Sequence, residues 1–280
     1  MFIKIAVGSI PPLTLAAGRV ALAAAVLYAF IRLRGMRLPV QGRNWTLYFA
    51  VAFFGNGLPF TLIGWGEEHI DSGLAAILMA VMPLTTLLLA HVYVKDEPLT
   101  VNKLIGIAVG FAGVVVLVGP EVMKGLGSDA LRQGAVAAGA LCYAVATIMA
   151  RLLPEAPPAV RAAAVLIWSA VQIVPVALIL DAPWLLQPSP GSLASAVYLG
   201  LFPTALATII YFHLISTRGA SFIAFNNYLV PVFGVMWGAA LLGEKVSMQE
   251  LGALALILGG IAISGVVSGR GPPGGPRRSR

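Results

Sequence analysis

Charge is scarce in this chain, and acidic charge is scarcest. There are 11 Asp and Glu among 280 residues, and none lies deep inside a long apolar run. The single cysteine, Cys142, excludes an intrachain disulfide and a cysteine metal cluster. His69, His91 and His213 fall in three different segments, so their spacing offers no metal site. No GxSxG, HExxH or phosphate-loop glycine pattern is present, which removes the usual starting points for an enzyme. No catalytic residue, metal or cofactor is therefore expected. The first residues lack a basic segment followed by a cleavage site, so no signal peptide is expected either.

What is abundant is apolar surface. Hydrophobic residues make up 59% and charged residues 10%, against roughly 45–50% and about 25% in soluble proteins. A bilayer core of roughly 30 Å needs about 20 residues of helix at 1.5 Å each. Apolar runs of that kind occupy roughly 13–31, 45–66, 73–94, 104–119, 133–150, 162–180, 193–216, 220–242 and 249–267, preceded by a short apolar stub from Met1 to Ser9. An all-α polytopic membrane protein is expected. The net charge of +7 sits in short connections and the C-terminal tail, which marks topology rather than a nucleic-acid surface. If connections alternate sides and the tail is cytoplasmic, Arg32, Arg34, Arg37, Arg43, Lys95, Lys103, Arg151, Arg161, Arg218, Arg270, Arg277, Arg278 and Arg280 share the cytoplasmic side. Lys124, Arg132 and Lys245 fall opposite. The expected location is the inner (plasma) membrane, multi-pass, with a cytoplasmic C-terminus.

The chain is also duplicated. Pro83, Glu97, Gly106 and Gly113 return as Pro231, Glu244, Gly252 and Gly259, with offsets of 231−83=148, 244−97=147, 252−106=146 and 259−113=146. Pro11-Pro12 returns as Pro157-Pro158 (157−11=146), which sets Met1 opposite Thr147 and leaves Gln133 to Ala146 without a counterpart. The chain is thus expected to begin inside its first helix, in a ten-helix plan of two five-helix repeats. Residues 1–119 form the first repeat, truncated at its N-terminus, 120–132 a connecting loop and 133–267 the second. Residues 268–280 form a disordered basic tail. An odd number of helices per repeat inverts the second copy, the arrangement of carriers that expose a midplane site to either side in turn.

The segments IPPLTLAAGRVALAAAVL, GLAAILMAVMPLTTLLLAHVYVKDEPLT and KLIGIAVGFAGVVVLVG, with their partners GAVAAGALCYAVATIMARLL, RGASFIAFNNYLVPVFGVMWGAALLGEKVS and LGALALILGGIAISG, resemble the EamA family of the drug/metabolite transporter superfamily. The likeness covers nearly the whole chain and departs from the family at the missing front of helix one. It implies ten helices around a central cavity and movement of a small metabolite, commonly amino-acid export, without naming the substrate.

Several residues then stand out as a transport site. Asn56, Tyr143 and Gln172 fall near mid-span, where polar groups must line a cavity or bond between helices. Asn226 and Asn227 point about 100° apart on a helix, so one small contact cannot satisfy both. Trp168 and Tyr228 can stack on substrate. Lys4 and Arg19 flank the Pro11-Pro12 turn, each roughly 9 Å deep, with no helix-embedded carboxylate to pair with. They form an outer vestibule for an anionic group, or snorkel to headgroups. Pro59, Pro83, Pro203 and Pro231, with Pro175, loosen helices at mid-span and serve as hinges or as static kinks. Glycines at 106, 110, 252, 259 and 260 permit close packing within the chain or in a homodimer.

The expected function is alternating-access export or facilitation of small metabolites, amino acids or related compounds foremost. The alternatives are a multidrug or cationic-compound exporter of the same superfamily, which calls for a deep acidic residue, and a non-transporting scaffold.

Overall fold

The computed structural model describes residues 2–39, 42–67, 69–70, 72–242 and 247–265. The side chain of Lys4, Glu244 and residues 266–280 lie outside the described set. In chain order the helices are α1 (Phe2–Ala6), α2 (Pro12–Leu33), α3 (Gly42–Ala52), α4 (Leu58–Glu67), α5 (Ser72–Met79), α6 (Met82–Tyr93) and α7 (Val101–Val118). There follow α8 (Ala130–Arg151), α9 (Pro158–Asp181), α10 (Pro190–Leu199), α11 (Ala207–Arg218), α12 (Ala220–Asn226), α13 (Leu229–Leu242) and α14 (Met248–Ile263). Wider π-helical turns, Phe53–Gly57 and Gly200–Leu206, join α3 to α4 and α10 to α11. There is no strand among the described residues.

Among the described residues, seven of the resulting rods are long and apolar enough to cross a bilayer: Pro12–Leu33, Asn44–Glu67, Gly73–Tyr93, Val101–Val118, Ala130–Arg151, Pro158–Asp181 and Pro190–Arg218. Two shorter apolar helices follow, Ala220–Phe233 and Met248–Ile263. Leu33, Val92, Leu131, Ile179 and Leu180 are exposed, as lipid-facing side chains are. The protein is a multi-pass membrane protein.

Two compact units are present, and neither is a half of the sequence. One contains Met1–Gly57 and Leu152–Leu214, the other Leu58–Arg151 and Ile215–Arg280. In the first, α2 lies against α9; both open on a Pro-Pro pair whose second proline starts the helix, where its missing N–H costs nothing. Their shared core is small, with Ala17 packed among Ile173 and Ala177 and bordered by Leu13 and Val174, which allows close approach. Asp181, at the end of α9, accepts from the backbone N–H and hydroxyl of Thr14 at 2.9 and 2.6 Å and so satisfies the first turn of α2.

In the second unit α8 packs on α4, α5 and α6, and α7 packs on α14. The α7–α14 contact is backbone to backbone. A Cβ placed on Gly106 would lie 2.5 Å from the carbonyl oxygen of Gly260, and the converse distance is also 2.5 Å. The repeat-related glycines 252 and 259 have nothing within 4 Å of such a Cβ.

Candidate functional site

The two π-turns fall at repeat-equivalent places, 200−53=147 and 206−57=149. Such turns mispair the helix ladder and concentrate at functional sites. Pro59 follows the first turn and Pro203 lies inside the second. Lacking an N–H, Pro203 cannot make the α-helical bond to the Leu199 carbonyl, and the wider π-turn register runs past it. The hydroxyl of Thr204 also donates to that carbonyl, at 2.8 Å. Having donated, it accepts from Arg19 Nη2 at 3.2 Å and Nε at 3.4 Å. Arg19 is half-buried, and no described carboxylate pairs with it. Arg19 is thus tied to the second π-turn.

The first π-turn is held by α9. Asn56 Nδ2 donates to Ser169 Oγ at 2.8 Å, and Ser169 is fully buried. Gln172 Nε2 donates to the Phe49 carbonyl at 3.2 Å, one turn before the ladder widens. Trp168 packs against Trp45, with ring centroids 5.3 Å apart, and edge-on against Phe49 at 5.1 Å. Two polar atoms in this cluster, Trp168 Nε1 and Gln172 Oε1, are buried without a hydrogen-bond partner among the described residues. Each such omission costs roughly 1–3 kcal/mol, which a packed core avoids and a binding site tolerates.

The second unit holds the other candidates. Helix breaks separate α5 from α6 at Ala80–Val81 and α12 from α13 at Asn227–Tyr228, again at a like offset (227−80=147). Tyr228 ties them: its hydroxyl donates between the carbonyls of Ala80 at 3.3 Å and Ile107 at 3.5 Å. Its ring rests on Gly110, where a Cβ would approach it to 3.0 Å. Tyr228 is therefore a buried strut here. Asn227 Nδ2 reaches Met82 Sδ at 3.2 Å, and Asn226 is exposed. Tyr143 packs beside the cluster of Met82, Ala140 and Ala144. Pro83 and Pro231 sit just after the two breaks, in the opening turns of α6 and α13.

Thus Asn56, Trp168 and Gln172 come together in one unit, with Arg19 and Pro203 on that same unit. Tyr143, Asn226, Asn227 and Tyr228 belong to the other, with Pro59, Pro83 and Pro231. Sequence reasoning missed Ser169, Trp45, Phe49 and Thr204. The Pro203-Thr204 dipeptide was the available signal, since a hydroxyl beside a mid-helix proline can serve the carbonyl that the proline cannot bond.

The profile of the EamA-like transporter family matches residues 1–119 and 134–266. The chain belongs to that family. An "Uncharacterized transporter" of Archaeoglobus fulgidus is 26% identical over 262 residues, covering 93% of this chain and 91% of its own. The "Uncharacterized inner membrane transporter YedA" of Escherichia coli (strain K12) is 28% identical over 264 residues, covering 91% and 82%. A "Probable terminal-alkyne amino-acid exporter" of Streptantibioticus cattleyicolor is 26% identical over 262 residues, covering 92% and 82%. One solved crystal structure shares the fold with a TM-score of 0.78 at 22% identity, over 94% of this chain and 91% of its own. This EamA-like protein is a membrane transporter of small molecules and not an enzyme.

Proposed function

We propose that this EamA-like transporter carries small metabolites, amino acids or related compounds foremost, across the inner membrane by alternating access. Residues 1–119 and 133–267 act as inverted repeats of a ten-helix plan, linked by 120–132, with the basic tail of 268–280 in the cytoplasm. The observation that carries this reading is that both kinds of helix interruption, the π-turns and the proline-linked breaks, recur one repeat apart and carry its polar groups. Interrupted helices supply the ion- and substrate-binding backbone of secondary carriers. The two separate stretches matched by the family profile support the duplication.

Arg19, held by the Thr204 hydroxyl but not neutralised, suits a substrate carboxylate. A cationic-drug exporter would place an acidic group there instead. Cells expressing the chain and loaded with amino acids from dipeptides are expected to release particular amino acids above an empty-vector control. No release, with folded protein shown in the membrane, would sink the proposal. Arg19→Ala should lower transport of carboxylated substrates about tenfold, the loss of one charge-assisted hydrogen bond, and of uncharged analogues far less. Equal loss of both would remove Arg19 from the site.

A further inference from the structure

We propose that Trp168 and Gln172 form a subsite that reads a neutral amide group on the substrate. This rests on the carrier reading above and names what the site recognises. The two residues stand one helical turn apart on α9, on the same face. One presents an N–H donor without an acceptor, the other a carbonyl acceptor without a donor. Neither is free to turn away. The Trp168 ring is gripped by Trp45 and Phe49, and the Gln172 amide is oriented by its own bond from Nε2 to the Phe49 carbonyl. Beside Gln172 Oε1 stands Gly57, where a Cβ would lie only 2.9 Å away, so any side chain at that position would crowd the oxygen. Asn56 Nδ2 is already bonded to Ser169 Oγ, which fixes the orientation of its amide.

The missing partners define the ligand. A group that completes this pair must accept from the indole and donate to the amide oxygen at once. Asn56, Ser169, Trp168 and Gln172 are all neutral, and the flanking rings favour a flat group. A carboxamide or lactam edge meets these conditions, with its C=O toward Trp168 Nε1 and its N–H toward Gln172 Oε1. A carboxylate can only accept, an ammonium can only donate, and an alkyl chain does neither. Sites built around such pairing reject analogues that leave the pair unmade.

The test uses the purified full chain in lipid nanodiscs and three amino acids of similar length: glutamine, glutamate and norleucine, ending in an amide, an acid and a methyl. Binding is measured by calorimetry and flux by counterflow in proteoliposomes. Glutamine is expected to bind at least about tenfold tighter than either competitor, the scale of one hydrogen bond. Trp168→Phe keeps the ring without the donor and Gln172→Leu keeps the volume without the acceptor. Each should reduce the glutamine-to-norleucine affinity ratio about tenfold, with the melting temperature monitored to confirm folding. An unchanged ratio in both variants, equal affinity for all three ligands, or binding of none of them would overturn the proposal. So would a water found bridging both atoms in a glutamine-bound structure. Flux without amide preference would leave the carrier reading standing and remove this one. Amide-selective binding without flux would do the reverse.

Discussion

Glu97→Ala is expected to lower the thermal unfolding midpoint of the detergent-solubilised protein by on the order of 10 °C. Glu97 is 8% exposed, and its two carboxylate oxygens accept from the backbone N–H groups of Ala220 at 2.7 Å and Ser221 at 2.6 Å. Those are the first residues of α12, whose opening turn has no intrahelical acceptors. Arg151 Nε lies 3.6 Å from the same carboxylate. Truncation therefore orphans two amides and a largely buried guanidinium together, a loss of roughly 3–5 kcal/mol. Glu97→Gln retains one acceptor oxygen and should recover part of the loss. Gly219 carries φ +89°, and a Cβ there would lie 2.5 Å from Glu97 Oε1, so Gly219→Ala should fail through both strain and collision. An unchanged midpoint in Glu97→Ala would show that α12 holds its place without the carboxylate.

Gly260→Leu should abolish recovery of folded protein, whereas Gly259→Leu, one residue away, should not. Leucine is the better helix former in both positions, by nearly 1 kcal/mol, so propensity cannot produce the difference. Contact can. Position 260 faces the backbone of α7, with Gly106 O at 2.5 Å and Gly110 N at 2.7 Å from a built Cβ, and position 259 faces nothing within 4 Å. Backbone cannot rotate aside as a side chain can, so α7 and α14 would have to separate along their contact. Overpacking costs typically 1–3 kcal/mol even where side chains yield. Gly106→Leu should behave as Gly260→Leu, and Gly252→Leu as Gly259→Leu. Comparable yields from Gly260→Leu and Gly259→Leu would mean that the α7–α14 contact is looser than described.

The apolar segments were legible because lipid demands one composition over one length, and the helical rods follow the runs read from 13–31 onward. The π-turns were not. Asn56 and Thr204 are the only polar side chains in them, so hydropathy runs on almost unbroken, and only these two residues with Pro59 and Pro203 mark the places. Tyr228 suggested a stacking residue because a mid-span tyrosine suits a cavity, but its burial on Gly110 depends on a helix more than 100 positions away in sequence. Glu97 was visible only as a repeat position shared with Glu244. Its partners lie 123 and 124 positions on, beyond any local pattern. Asn56, Trp168 and Gln172 were visible because polar and indole groups at mid-span need a reason. Ser169 was not, since a serine inside an alanine-rich helix is ordinary until its partner is known. No local pattern announced that each compact unit draws helices from both halves of the sequence.

The central claim is carriage of small amino-acid-like metabolites, and counterflow tests it most directly. Liposomes containing the purified chain and preloaded with an unlabelled amino-acid mixture would be diluted into trace labelled amino acid. The account predicts transient accumulation of label that needs both the protein and the preload, and that Arg19→Ala weakens in carboxylated substrates first. Label uptake equal to that of protein-free liposomes for every amino acid tried, by a preparation with an intact melting transition, would contradict it.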